Sequence, residues 1–248
     1  MKNFQADYED LQHWLDAATS ELDAMELDLV MSGDMREWYD IYDALPPEAQ
    51  TGGVSNTLHP DKHNMGLGDA FWTGLYMRGE SELMACHCVR LLRIRDFVDE
   101  FVSGRLFSSA IPEVDWKPTD LLLEDAPKLS GNVAFGGGLW VHPKMRGLDK
   151  SGNRRNLSGK LNAINRNFTT RHFNADWYCS LTHNTPSRQA WVKFSTGILH
   201  SVAISRGYYA GRDGKELEVR LNYVSRDEMF VQMREELAGP EVRTAIAS

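Results

Sequence analysis

The chain has 248 residues, 42% of them hydrophobic and 25% charged, and its formal net charge is −8 at pH 7. This is the composition of an ordinary globular protein with a substantial core, and the acidic balance argues against general nucleic-acid binding. The first residues lack the apolar run of a signal peptide, and no later run is long enough to span a bilayer, so we expect a cytoplasmic protein that does not bind membranes.

The N-terminal fifty residues read as helical. Apolar residues recur at spacings of three and four from Leu11 to Leu29, which predicts one amphipathic helix. Asp34 is suited to cap a second helix, which ends before Pro46-Pro47. We therefore predict that residues 1–50 form a helical addition packed on a main domain of residues 51–248, and we find no strand in this addition.

Two strands joined by a hairpin turn are predicted next, at 71–77 and 83–94. A helix follows within 96–107. The segment 111–128 contains three prolines and reads as a long insertion, which is where specificity usually resides.

The stretch 131–161 joins a predicted buried strand, 133–141, to a predicted helix through a loop suited to hold negative charge. Three consecutive glycines in the strand, Gly136 to Gly138, leave room for another backbone or a ligand. The loop is positively charged although the whole chain is negative, because residues 144–160 contain six basic residues and one acid, Asp149. Its glycines allow inward-pointing N–H groups, and the following helix adds its positive end. A phosphate-binding loop is predicted, with a solvated basic turn as the alternative.

The rest of the chain continues the alternation of helices and strands. Ser225 and Glu228 form a capping box for the last helix. The predicted elements are a helix at 157–168, a strand at 177–182, an antiparallel pair at 198–209 and 216–224, and a helix that ends at Leu237.

At the phosphate loop the sequence resembles the GNAT superfamily of acyl-CoA-dependent N-acyltransferases. The pyrophosphate loop of that family has the pattern V-x-P-x-x-R-G-x-G-x-G-x-x-L. Val141, Pro143, Arg146 and Gly147 fall in register with it, and Leu157 is its closing leucine. Asp149 stands at the usual position of the second glycine.

A second stretch is similar to the family's N-x2-A-x3-Y-x-K segment. Asn184, Trp191, Lys193 and Phe194 carry this similarity. Trp191 stands where many members have a tyrosine, which is their usual general acid.

The resemblance implies an α/β fold with a mixed, mostly antiparallel central sheet, in which the family's fourth and fifth strands run parallel and splay apart. It implies acetyl-CoA or another acyl-CoA as co-substrate, with the pantetheine arm between these two strands and the pyrophosphate on the loop. The cofactor-binding residues that it implies are Leu139, Trp140, Val141, Arg146, Gly147, Leu148, Ser151, Gly152, Arg154, Arg155 and Asn184.

The implied activity is transfer of an acetyl group to a primary amine by direct attack, with a small-molecule or peptide amine as acceptor and no metal. Such a reaction needs a base, a donor for the developing oxyanion and an acid for the leaving thiolate. Strand 133–141 holds no carboxylate, so His142 and His183, at the ends of two predicted strands, are the candidate bases. Glu113 and Asp115 in the predicted insertion are secondary candidates. Tyr178 is the candidate acid, with Tyr208 and Tyr209 as alternatives. The oligomeric state is open, with a homodimer as one option.

Two alternatives belong to other classes of protein. A zinc site could be built from His59 and His63 together with the run Cys86-His87-Cys88, although no established zinc motif is present. The second alternative is a GNAT-like domain that binds acyl-CoA or a partner without catalysis. The absence of the family's glutamate from strand 133–141 and of its tyrosine at Trp191 would allow this.

Overall fold

The computed structural model describes residues 4–45, 56–66, 68–108, 116–147, 156–183, 197–209 and 216–238. The helices are α1 (Phe4–Ala24), α2 (Met35–Asp43), α3 (Phe97–Val102), α4 (Leu157–His172) and α5 (Arg226–Leu237), with short 3-10 helices at Asn56–Leu58 and Pro143–Met145. The strands are β1 (Leu27–Ser32), β2 (Ala70–Met77), β3 (Leu83–Ile94), β4 (Trp116–Leu121), β5 (Gly131–Val141), β6 (Trp177–His183), β7 (His200–Tyr209) and β8 (Glu216–Ser225).

All eight strands belong to one sheet, in the order β1-β2-β3-β5-β6-β8-β7-β4. Every neighbouring pair is antiparallel except β5 and β6, which run parallel. The chain between these two contains α4, as a parallel pair requires a crossover connection. This is the mixed, mostly antiparallel sheet predicted from the resemblance to the GNAT superfamily, and the predicted fold class is confirmed.

Apolar side chains cover both faces of the sheet. On one face α1, α4 and α5 pack over the strands, with Leu11, Leu161 and Met233 in a shared cluster. On the other face α2, the 3-10 helix at Asn56–Leu58 and α3 supply Trp38, Leu58 and Phe97 to a second cluster. We call these the α4 face and the α2 face. None of the described helices is long and apolar enough to cross a membrane.

The first predicted helix was too long. It ends at Ala24, and after Glu26, whose φ is +57°, the chain enters β1, which pairs with β2 at the edge of the sheet. Sequence analysis missed this strand because Met25 and Leu29 continue the helical spacing of α1. The second helix is confirmed, since the Asp34 carboxylate accepts from the backbone N–H groups of Arg36 and Glu37. A domain boundary at residue 50 stays a prediction.

The predicted insertion contains a strand of its own. β4 lies at the far edge of the sheet, antiparallel to β7. The chain between β3 and β5 therefore extends the sheet at the edge opposite β1.

Replacing Ser225 with alanine is expected to lower the free energy of unfolding by about 1 kcal/mol. The Ser225 hydroxyl caps the backbone N–H of Glu228, and the Glu228 carboxylate returns a bond to the backbone N–H of Ser225. Urea unfolding measures the difference. Ser20→Ala is the matched control, because Ser20 is exposed and bonds only the carbonyl of Asp16 within α1. Equal stability of the two variants would contradict the prediction.

Candidate active site

The parallel strands β5 and β6 separate part of the way along. Their pairing runs from Val133 and Trp177 to Gly136 and Ser180. Beyond that point β5 continues to Val141 and β6 to His183, but the two are no longer paired with each other. We call the opening between residues 137–141 and 181–183 the fork. Each strand keeps its other neighbour along this segment, since β5 stays paired with β3 and β6 with β8.

A β-bulge shapes the β5 side of the fork. Cys86 and Cys88 of β3 lie opposite Trp140 and Gly137, so β5 carries one extra residue there. The bulge lies at Gly138, whose φ is +62°. A Cβ on Gly138 would lie 2.7 Å from Cζ2 of Trp38, and one on Gly137 would lie 2.9 Å from Cδ1 of Leu58. The glycine run that sequence analysis singled out therefore permits both the bulge and the close packing of the α2 face.

The three predicted arm-binding residues alternate across β5. Leu139 and Val141 pack on the α4 face in the cluster that contains Leu157, the first residue of α4. Trp140 is buried on the α2 face. Because of this packing, the C-terminal end of β5 lies next to the start of α4.

At the start of the predicted phosphate loop the backbone N–H groups of Met145 and Arg146 donate to the carbonyl oxygens of His142 and Pro143. The Arg146 guanidinium turns back, and its Nε donates to the carbonyl oxygen of Val141 at 2.9 Å. Gly147 has a φ of +93°. At the far end Asn156 is left-handed, and no described side chain caps the first turn of α4. The predicted residues Leu148, Ser151, Gly152, Arg154, Arg155 and Asn184 lie outside the described residues.

His142 is held by two neighbours at the end of β5. Its Nδ1 accepts from the backbone N–H of Lys144 at 3.1 Å, and its Nε2 lies 3.4 Å from Oε1 of Glu82. Because Nδ1 is an acceptor, neutral His142 carries its proton on Nε2, directed at the carboxylate. In this arrangement neither ring nitrogen offers a free lone pair to a substrate.

His183 is the last residue of β6. It lies opposite Val219 of β8 and is partly buried. Its place at the mouth of the fork agrees with the sequence-based expectation, and its role as a base stays a prediction.

Tyr178 lies within the paired part of β6, opposite Ala134, and its hydroxyl reaches Gly136, where the pairing ends. The side chain is fully buried, and its Oη lies 2.0 Å from the position that a Cβ of Gly136 would occupy. Gly136 is the last residue of β5 that pairs with β6. Burial raises the pKa of Tyr178, so the hydroxyl keeps its proton at neutral pH.

A buried polar network surrounds Tyr178 under α4. Nδ2 of Asn162 donates to the Tyr178 Oη at 3.3 Å, and Nε2 of His87 lies 3.4 Å from the same oxygen. Asn165 lies 3.0 Å from Nδ1 of His87 and accepts from Thr73 at 2.9 Å. Burial lowers the pKa of His87 to about 3, so the imidazole is neutral.

Sequence analysis did not predict this network. Its members lie on β2, β3, α4 and β6, and their proximity depends on the sheet order. One signal was present, because Asn162 and Asn165 are three apart and interrupt the apolar face of Leu161 and Ile164 on α4.

The structure argues against the zinc site drawn from the Cys86-His87-Cys88 run. Cys86 and Cys88 are buried on the α2 face, whereas His87 points under α4 on the opposite face. Burial also raises the pKa of Cys86 to about 12, which disfavours the thiolate that zinc requires. His59 packs its ring on Tyr39 at 4.7 Å. Within the described residues no group of three or more potential ligands is placed to hold a metal.

No protein-family model matches this chain, and no curated protein sequence matches it. Among solved structures, NAA60 of Arabidopsis thaliana in complex with acetyl-CoA is similar with a TM-score of 0.45 and 10% identity, over 80% of this chain and 99% of that chain. A spermidine N-acetyltransferase SpeG chimera from Vibrio cholerae and hSSAT gives 0.42 and 11%, over 82% and 98%. YncA, a putative acetyltransferase of Salmonella typhimurium with acetyl-CoA, gives 0.43 and 12%, over 81% and 94%.

These likenesses are too distant to carry a functional argument. The strand order and the single parallel pair of this chain define its class, which is a GNAT-type fold.

Proposed function

We propose that the protein is an acyl-CoA-dependent N-acyltransferase that transfers an acetyl group from acetyl-CoA to a primary amine by direct attack. The observation that carries this proposal is the fork, with its bulge at Gly138 and, next to the end of β5, the start of α4, which no side chain among the described residues caps. An opening between two separating strands suits an amide-containing arm, and a helix N-terminus suits a diphosphate.

In this proposal the backbone of Leu139 to Val141 binds the pantetheine arm in place of the missing β6 partner. The N–H groups from Gly147 to Gly152 and the start of α4 bind the pyrophosphate, because the backbone N–H of Arg146 already donates to Pro143. Arg154 and Arg155 bind the remaining phosphate. The amine nitrogen attacks the thioester carbon, the C–S bond breaks, and the proton lost by the amine balances the one gained by the thiolate. The fork holds the thioester at a fixed place and excludes water from it.

A second candidate is an acyl-CoA-binding domain without catalysis. Two observations favour it: β5 contains no carboxylate, and both ring nitrogens of His142 are engaged. If the protein is instead an enzyme, His183 is the histidine that remains as a candidate base. Incubation with acetyl-CoA and a panel of primary amines, followed by mass spectrometry, separates the two functions, because only the enzyme gives acetylated product.

The double variant Arg154→Ala/Arg155→Ala is expected to bind acetyl-CoA at least tenfold more weakly than the wild type. A charge-assisted hydrogen bond to phosphate contributes about 1.5–3 kcal/mol, and about 1.4 kcal/mol corresponds to a factor of ten. Isothermal titration calorimetry measures the affinity. Arg146→Ala is less informative, because it also removes the bond to Val141.

Arg93→Ala is the matched control for the loss of positive charge. Arg93 is exposed, pairs with Asp69, and lies on β3 opposite Asn132, at the end of β5 away from the fork. Equal affinity of the double variant and the control would contradict the phosphate site. No binding of acetyl-CoA to the wild type would contradict both candidate functions. The amine acceptor, the cytoplasmic location and a homodimer remain predictions.

A further inference from the structure

Two glycines of β5 stand at the base of the fork, and a large buried side chain covers each of them. Gly136, the last residue paired with β6, lies under the Tyr178 hydroxyl on the side of α4. Gly137, the next residue, lies under Leu58 on the α2 face, where the Leu58 Cδ1 is 2.9 Å from the position that a Cβ would occupy. Tyr178 and Leu58 are both fully buried. Side chains therefore close the base of the fork on both faces of the sheet.

Paired main chain closes the base in the third direction. β5 and β6 are hydrogen-bonded neighbours from Val133 opposite Trp177 to Gly136 opposite Ser180. A group that enters between the strands from the far end of β5 meets this paired segment and stops there. The space at the base is thus bounded along the sheet as well as above and below it.

Buried hydrogen bonds hold these side chains in place. The 3-10 helix that carries Leu58 is fixed to β3, because Nη1 of the buried Arg90 donates to the carbonyl oxygen of Thr57 at 2.7 Å. The Tyr178 hydroxyl belongs to the polar network under α4. Since close-packed interiors yield little to an added methylene, we expect neither side chain to move far for a ligand.

In the proposed function the acyl group is the part of the ligand that reaches this base. The phosphate loop follows the C-terminal end of β5, and the pantetheine arm runs from there along the fork toward Gly137. The acyl carbons lie beyond the sulfur, at the tip of the arm. Each carbon added to the acyl chain therefore extends toward the closed base.

We propose that Leu58, Tyr178 and the paired main chain form a wall that restricts this protein to the shortest acyl chains, with Leu58 setting the limit on the α2 face. This inference rests on the proposed function and assigns the choice of acetyl over longer acyl groups to named residues. The sign of the effect is diagnostic. In an open apolar pocket each added methylene strengthens binding, whereas against a closed wall it weakens binding.

Isothermal titration calorimetry with acetyl-CoA, propionyl-CoA and butyryl-CoA tests the wall without requiring turnover. We expect the wild type to bind butyryl-CoA at least about tenfold more weakly than acetyl-CoA, with propionyl-CoA between them. Leu58→Ala removes the side chain over Gly137 and should abolish most of this difference, a relative gain of about tenfold for butyryl-CoA. Leu129→Ala is the matched control. Leu129 is a fully buried leucine of the same cluster that precedes β5 at the end away from the fork, so its variant should keep the wild-type ratio.

The outcomes separate this inference from the proposed function. Equal or tighter binding of butyryl-CoA by the wild type would overturn the wall and leave the proposed function in place. A wild-type ratio that persists in Leu58→Ala would overturn the role of Leu58. No binding of any of the three compounds would overturn both proposals. If Leu58→Ala does not fold, Leu58→Val keeps more of the packing and should show a smaller relative gain for butyryl-CoA.

Discussion

Replacing Trp38 with alanine is expected to lower the free energy of unfolding by about 4 kcal/mol, within the range of about 3–5 kcal/mol for large aromatic truncations in cores. The Trp38 side chain is fully buried, and its ring lies against the position where Gly138 lacks a side chain. It also packs on Tyr42 with ring centroids 5.6 Å apart. The substitution would leave a cavity between α2 and the bulge of β5. Guanidinium chloride unfolding measures the loss.

Trp38→Phe is the matched control, because it keeps an aromatic ring in the same space and should lose much less stability. The cavity also removes the support beneath the bulge, so we expect Trp38→Ala to bind acetyl-CoA more weakly than Trp38→Phe. If Trp38→Ala lost less than about 1 kcal/mol, the packing of α2 on the bulge would be wrong.

Acid is expected to destabilise the wild type more steeply than the variant His87→Gln. Burial lowers the pKa of His87 to about 3, whereas an unfolded histidine titrates near about 6.5. Between these values the unfolded chain binds a proton that the folded chain does not. The free energy of unfolding therefore falls as the pH falls, by up to about 1.4 kcal/mol per pH unit, or about 2.5 kcal/mol between about pH 6 and pH 4.

Urea unfolding at these two pH values measures the effect. Only the change between the two pH values is compared, because His87→Gln also loses hydrogen bonds of the network at any pH. His13→Gln is the control, since His13 is exposed on α1 and its variant should keep the wild-type slope. An equal acid loss in His87→Gln and in the wild type would show that His87 is protonated in the folded protein.

Local sequence patterns predicted most elements because those elements depend on neighbouring residues. The capping box at Ser225 and the hairpin after β2 are interactions within a few positions, and both are confirmed. β1 was missed for the opposite reason. Its six residues gain their strand conformation by pairing with β2, from Leu27 opposite Met77 to Ser32 opposite Trp72, while their own spacing continues the helical pattern of α1.

The candidate site also contains residues that sequence analysis found and residues that only the structure revealed. The glycines at 136–138 were found from sequence, because a glycine run in an apolar strand indicates a bulge or the close approach of another group. The network of Thr73, His87, Asn162, Asn165 and Tyr178 was not found, because its members come from elements that only the sheet order brings together. Burial raises the pKa of Tyr178, and its predicted role as an acid stays a prediction.

The position of β4 affects the order in which the sheet forms during synthesis. On the ribosome, residues 116–121 are synthesised well before their partner strand at residues 200–209, so this edge of the sheet is completed late. During that interval β4 could aggregate through its unpaired main chain. Pro118 lacks an N–H and interrupts the ladder beside a register shift, and Lys117 and Asp120 add charge. A strand with these residues is a poor template for pairing with another chain.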